Sequence, residues 1–470
     1  MTAKSRPTRL FWLILGILCL VATACASSSA LPETASQAEQ PPVTDDPDPE
    51  PDQPDTTTSV VDESSSDDGE PSSDEDAQQA EDSADLETEV AEETEAEPEA
   101  EVAQFSTLCN ADPAVPGSRV DVNSDGNRVA PGSLDFAAVE ELEVELPDTG
   151  VWVTADPAVS GGWFVVLERG SAVRVSPEGV VTSTSDPSAT PPELDADGNP
   201  QTPFRFHELF QDPIDDGRVV FAEDIAVVLS TPTDIYPHGV LGDELEAAAI
   251  EWVDVCTGEG GQIDIPAPDV VEGLSPLLAD IDNDGQIEIV VTLANADTGA
   301  RLAAFELDGT TAGESEPIGQ GRRWRNQLAA TAFGPDGGIE IVDVRTPHIG
   351  GTVQSFRQVQ DEENGPQLVQ VAVSDPRYTS HVIGTRNLSM GIAIDANADD
   401  WPDVLVATSD RDALVGLTRT SDLDADLQGW NIIGERELQN ALTSNIAAQE
   451  PTPGSASIAI ADGDILRIWS

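Results

Sequence analysis

Short apolar runs, punctuated by Gly, Asp, Asn and Pro, recur along residues 104–470. They include "GWFVVLERG" near 163, "DIAVVLST" near 225, "IEIVVTLA" near 288, "IEIVDVRT" near 340, "PDVLVATS" near 403 and "ILRIWS" near 465. Several are apolar at almost every position, as strands buried on both faces are, and the intervening residues are turn formers. Helical periodicity is scarce. "GDELEAAAIEW" (242–252) is the best helical stretch, and it fits a short helix or a strand equally well. The pattern predicts an all-β domain. Aligning Asp280, Ala332 and Asp395 gives spacings of 52 and 63 residues, and similar steps reach the runs near 163, 223 and 458. Six units of roughly 50–60 residues, with about four strands each, match the period of β-propeller blades. A pair of β-sandwiches would not favour one motif at that spacing.

A different apolar run opens the chain. Lys4, Arg6 and Arg9 precede "LFWLILGILCLVATA" (10–24), which has the length of a signal-peptide core with its cleavage site and is short for a membrane span. The sequence "VATAC" at its end resembles the bacterial lipobox, which implies cleavage after residue 24 and lipidation of Cys25. An ordinary secretory signal is the alternative. A lipid-anchored protein facing outside the cytoplasm, in the cell envelope, is expected.

Composition separates the anchor from the domain. Residues 26–103 are Asp, Glu, Ser, Thr, Pro and Ala-rich, with no basic and no aromatic residue. Such a chain buries too little apolar area to offset its ordering entropy. We read residues 25–103 as the lipidated cysteine and a disordered acidic linker, with a reach of roughly 50 Å. The whole chain carries a formal charge of -68 and one lysine, Lys4, which argues against nucleic acid as a partner. Of the four cysteines, Cys19 leaves with the signal and Cys25 takes the lipid. Cys109 and Cys256 remain, either as a disulfide in an exported domain or as two buried thiols.

The stretch "ADIDNDGQIEIVV" (279–291) raises the question of a cation. Asp280, Asp282 and Asp284 occupy alternate positions, followed by Gly285 and then Glu288 at the ninth position. An EF-hand needs a bidentate Glu at position 12 between helices; Val291 stands there, and the flank reads as strand. Alternate oxygen ligands on a tight turn nevertheless suit a hard cation such as Ca2+, and Gly285 permits the positive φ the turn requires. "DANADDWPD" (395–403) repeats the plan with Asp395, Asn397, Asp399 and Asp403, and with Asp400 in place of the glycine. Weaker versions are "DVNSDGNRV" (Asp121, Asn123, Asp125), "AFGPDGGIE" (Asp336, Glu340) and "ELDADGNPQ" (193–201).

These loops, leading into "IEIVV" and "DVLVA", resemble the FG-GAP/VCBS repeat of integrin-α-like β-propellers. The resemblance covers roughly residues 140–470 and is sharp in two repeats. It implies a propeller of six or seven blades, with Ca2+ ligands at Asp280, Asp282, Asp284 and Glu288 and at Asp395, Asn397, Asp399 and Asp403. "YPHGVLGD" (236–243) looks like segments of bacterial lipoproteins of this type.

No nucleophile elbow, HExxH, Walker A loop or dinucleotide fingerprint is present, and His207, His238, His348 and His381 lack metal-ligand spacing. His238, His381 and Arg386 are the residues to inspect for convergence in a channel. The leading expectation is a monomeric, calcium-stabilised module that binds a protein or glycan. The alternatives are a secreted propeller enzyme, such as a polysaccharide lyase or hydrolase, and a structural envelope component.

Overall fold

The computed structural model describes residues 128–470 except 157, 184–192, 195–199, 202–205 and 421–428; of 193, 194, 200 and 201 only the backbone is described. The signal segment 1–24, Cys25, the acidic linker to 103, Cys109, and Asp121, Asn123 and Asp125 lie outside the described residues, as does most of the 193–201 loop. Cys256 is disulfide-bonded. Among the described residues no helix is long and apolar enough to cross a membrane.

The described chain is all-β, with two short 3-10 turns, His207–Leu209 and Pro347–Ile349. Its strands form successive four-stranded antiparallel meanders. The first comprises Gly150–Ala155, Trp163–Leu167, Ala172–Val175 and Val181–Ser183. The second comprises Val220–Ala222, Ile225–Thr233, Glu246–Asp254 and Gly260–Asp264. The third comprises Leu277–Ala279, Glu288–Ala294, Arg301–Phe305 and Thr311–Glu314. The fourth comprises Arg325–Thr331, Glu340–Arg345, Thr352–Asp361 and Gly365–Val373. The fifth comprises Gly391–Asp395, Asp403–Thr408, Ala413–Arg419 and Trp430–Glu437.

The sixth is completed from both ends of the domain. Ala447–Thr452, Ser455–Asp462 and Ile465–Trp469 are joined by Glu141–Glu145, which pairs antiparallel with the last of them, Glu141 opposite Trp469. A further N-terminal strand, Val129–Ser133, runs parallel to Gly391–Asp395 and bridges to Ser455. Through such links most meanders merge into a ten-stranded and a thirteen-stranded sheet, while the first stays a separate four-stranded sheet.

The recurring apolar runs are, with one exception, the second strand of each meander. Glu288–Ala294 and Asp403–Thr408 are buried at every position, because each lies between two strands and between two apolar layers. The exception, "ILRIWS", is a third strand. The ambiguous 242–252 stretch is strand from Glu246 onward. Ala249 and Ile250 are both buried there, on opposite faces, and neighbouring strands take the backbone hydrogen bonds on either side.

Apolar clusters lie between consecutive meanders. Val227, Leu229 and Ile250 of the second pack with Ile289, Val291 and Leu293 of the third. Val290 and Leu302 meet Ile341 and Phe356 of the fourth. Val342 and Val353 meet Val404, Val406 and Trp430 of the fifth. Ile394, Leu405 and Leu414 meet Ile458, Ile460 and Trp469 of the sixth, and Ala459 and Leu466 meet Trp163 and Val165 of the first. The first and second meanders keep separate clusters, one around Trp152 and Phe164, the other around Phe221 and Val228. Burial of this kind is the main favourable term in such a fold.

Candidate metal centre

The two acidic loops each connect the first and second strands of a meander, the third and the fifth. In the third, Asp280, Asp282, Asp284 and Glu288 each bring a carboxylate oxygen within 4.8 Å of the others. Backbone geometry sets this up. Asn283 (φ 61) and Gly285 (φ 89) take left-handed conformations, curling the turn so that alternate side chains converge. Asp280 accepts the Asp284 N–H at 3.0 Å and the Gly285 N–H at 3.0 Å. Glu288, at the start of the second strand, accepts the Ile281 N–H on Oε2 at 2.6 Å. Its other oxygen, Oε1, is buried and accepts no hydrogen bond.

The fifth meander repeats this plan position by position. Ala398 (φ 58) and Asp400 (φ 70) are left-handed where Asn283 and Gly285 are. Asp395 accepts the Asp399 and Asp400 N–H groups at 3.2 and 3.0 Å, and Asp403 Oδ2 accepts the Ala396 N–H at 3.1 Å. Asp403 Oδ1 and Asn397 Oδ1 are buried and without a hydrogen bond. Among the described residues, however, only the first loop gathers three or more His, Cys, Asp or Glu ligand atoms within 4.8 Å, so the second is the looser of the two. The N-terminal segment lies along it: Leu134 and Phe136 donate to the carbonyls of Asp395 and Ala396 at 3.0 and 2.8 Å.

Burial and like charge act together on both ninth-position acids. Glu288 is pushed up to about 7 by burial and then by Glu306, Asp282 and Asp280. Asp403 is pushed up to about 7 by burial, against the Thr418 side chain and the Ala396 N–H, with Asp399 and Asp395 adding to the rise. Glu306 was not legible in the sequence as part of the first centre. It comes from the turn between the third and fourth strands, and its own pKa is raised by burial and by Asp284 and Asp282. A buried carboxylate oxygen with no donor, beside other carboxylates, is costly unless a cation compensates it.

The weak loop at 332–340 shows such compensation from within the chain. Glu340, at the same ninth position and fully buried, takes a bidentate Arg419 guanidinium at 2.8 and 2.9 Å. Arg357 adds a contact to Glu340 at 2.8 Å and to Asp336 at 3.1 Å. Two guanidinium groups therefore stand beside the acids of this loop. Sequence reasoning missed both, because Arg357 and Arg419 lie 17 and 79 residues from Glu340.

The strand directions place the histidines at the opposite end of the meanders. His348 Nε2 contacts His381 Nδ1 at 2.6 Å, and His381 Nε2 contacts the Thr385 carbonyl at 2.6 Å. Trp324 stacks on His348 and meets His381 edge-on. Burial pulls the two rings down to about 4 and about 3, so both are neutral near pH 7. With both nitrogens engaged, His381 has no ring position left for a substrate proton. His238 pairs with Glu272, and Arg386 pairs with Asp216 at 2.9 Å and with Asp243. His207 Nε2 contacts the Gly217 carbonyl at 2.5 Å. The residues singled out for inspection thus converge in pairs that satisfy one another.

No family model matches the sequence, and no curated protein does. Solved structures with some likeness include an auxiliary nutrient binding protein from Bacteroides thetaiotaomicron VPI-5482, at 9% identity over 68% of this chain and 69% of that one, with a TM-score of 0.33. Kluyveromyces lactis Hsv2 is 12% identical over 61% of this chain and 86% of its own, with a TM-score of 0.30. AofleA from Arthrobotrys oligospora is 13% identical over 72% and 91%, with a TM-score of 0.29.

Proposed function

We propose that the protein is a calcium-stabilised β-propeller that serves as an extracytoplasmic binding module for a protein or glycan. The six meanders are read as six blades, with Glu141–Glu145 closing the sixth. Lipidated Cys25 and the acidic linker are read as the tether that holds a monomeric module at the cell envelope. One observation carries the metal reading. Two loops with the same hydrogen-bond plan each hold a buried ninth-position acid whose second oxygen, Glu288 Oε1 or Asp403 Oδ1, accepts nothing. The donor set is all oxygen, which suits a hard cation; Ca2+ tolerates irregular all-protein oxygen cages, whereas Mg2+ prefers to keep its waters. Asp280, Asp282, Asp284 and Glu288 would hold one ion, and Asp395, Asn397, Asp399 and Asp403 a second. The ion would neutralise the clustered carboxylates and fix the turn.

Calcium titration followed by calorimetry tests this reading. Two ions per chain are expected, the tighter at the first loop. Glu288→Gln should remove that one and Asp403→Asn the weaker one, each leaving the other. Unchanged binding in both variants would refute the assignment. Mass spectrometry of the mature protein should find a diacylglyceryl group on Cys25; an unmodified N-terminus elsewhere would remove the anchor from the proposal.

A further inference from the structure

Basic residues are rare here, 21 Lys and Arg against 89 Asp and Glu, so an arginine without an acidic partner stands out. Arg345 is one: among the described residues its guanidinium makes no hydrogen bond or ion pair. It lines a cleft of about 520 Å³ between the end of the third meander and all four strands of the fourth, together with Arg325, Gln354, Phe356 and Leu368. Cavities of this size take ligands of monosaccharide to drug size.

Strand register makes the arrangement costly. Arg345 stands directly opposite Arg325 on the neighbouring strand, and like charges placed so are destabilising. Arg325 is compensated. It donates to Asp343 at 2.5 Å and to Gln354 Oε1 at 3.2 Å, and it lies 5.0 Å from the Phe356 ring centroid. Asp343 is fully buried, and its Oδ1 and the Arg325 Nε make no hydrogen bond. Arg345 is left over. Burial lowers its pKa, and the charges of Arg325 and Arg323 lower it further against the opposing charge of Asp343. Its other register partner, Thr352, keeps a buried hydroxyl with no hydrogen bond. Gln354 has its oxygen on Arg325, and among the described residues its amide nitrogen makes no hydrogen bond. Arginine positive charge, an amide donor and an apolar wall thus share one cleft.

We infer that this cleft binds a small ligand carrying one carboxylate on an otherwise neutral body, with Arg345 and the Gln354 amide holding the carboxylate and Phe356 and Leu368 packing against the body. Guanidinium groups match carboxylates geometrically through paired N–H donors. A doubly charged phosphate fits less well, because Glu314, paired with Arg301, and the exposed Glu316 line the same cleft. The inference rests on reading the domain as a binding module; it does not depend on the metal.

Isothermal titration of the calcium-loaded protein tests it with glucuronate and benzoate as carboxylates of polar and apolar body, and with glucose and inorganic phosphate as contrasts. Saturable binding of at least one carboxylate, one per chain, is expected, with none for glucose. Arg345→Gln should weaken that binding at least tenfold. The variant's melting temperature should match or exceed the parent's, since a like-charge pair is removed, and Arg169→Gln, on an exposed arginine, should bind as the parent does. Three results would overturn the inference: no saturable binding of either carboxylate, undiminished binding by Arg345→Gln, or tighter binding of phosphate. In each case the chelator-induced melting shift, read on the same samples, reports separately on the metal.

Discussion

Chelation of calcium with EGTA is expected to lower the melting temperature by roughly 5–10 °C. An ion that binds only the folded state stabilises it by about 2.7 kcal/mol when present at a hundred times its Kd, and two such sites approach twice that. A domain of this size loses only a degree or two per kcal/mol, hence the modest shift. The sign follows from the loops. Without a cation, Asp280, Asp282, Asp284 and Glu288 face one another within 4.8 Å and repel, and the buried oxygen of Glu288 has no donor. The folded state then carries a penalty that the unfolded chain escapes. Differential scanning calorimetry in calcium, in EGTA and in EGTA with excess magnesium makes the measurement. Magnesium should restore little of the shift. Identical melting in all three buffers would end the metal reading, whatever the loops look like.

The second large effect belongs to the loop that has arginines beside its acids. Glu340→Gln is expected to destabilise by about 3–5 kcal/mol, because removing one partner of a buried ion pair leaves the other charge uncompensated. Arg419 has a side-chain exposure of 1%, and its Nε and Nη2 both donate to Glu340. A glutamine keeps one acceptor but turns an NH2 group toward guanidinium donors. Arg357 retains its contact with Asp336, so it suffers less. The double variant Glu340→Leu with Arg419→Leu should recover part of the loss, since an apolar pair strands no charge. Urea unfolding of the three proteins reads the comparison. A loss under about 1 kcal/mol for Glu340→Gln would mean that the pair is not the compensation described. Calcium stoichiometry should be the same in all three.

Much of the strand layout was legible in the sequence because the strands that recur are the most buried ones. "IEIVVTLA" and "PDVLVATS" announce themselves since nearly every side chain must be apolar. Glu141–Glu145 gives no such signal. Its sequence, ELEVE, is acidic at three of five positions, and what makes it a strand is Ile465–Trp469 lying alongside. The ambiguity at Glu246–Asp254 has the same origin: three consecutive alanines favour helix locally, and neighbouring strands override them. The carboxylate loops were readable because all their oxygens lie within nine residues. Arg357 and Arg419 were not, and neither was Glu306, because each is brought to its loop by a different strand or turn. The Arg325–Arg345 pairing depends on a register that no local pattern encodes.

The pairing of Glu141–Glu145 with Ile465–Trp469 also orders events in time. The contact between Glu141 and Trp469 spans 328 residues, so the sixth meander can form only after almost the whole domain has been synthesised. Contacts of such long range are slow to form. Until then Glu141–Glu145 waits without its partner strand, and unpaired strand segments are the kind through which partly folded chains aggregate. The seam where the two ends of the domain meet is therefore the step at which a nascent molecule is most exposed to misassembly.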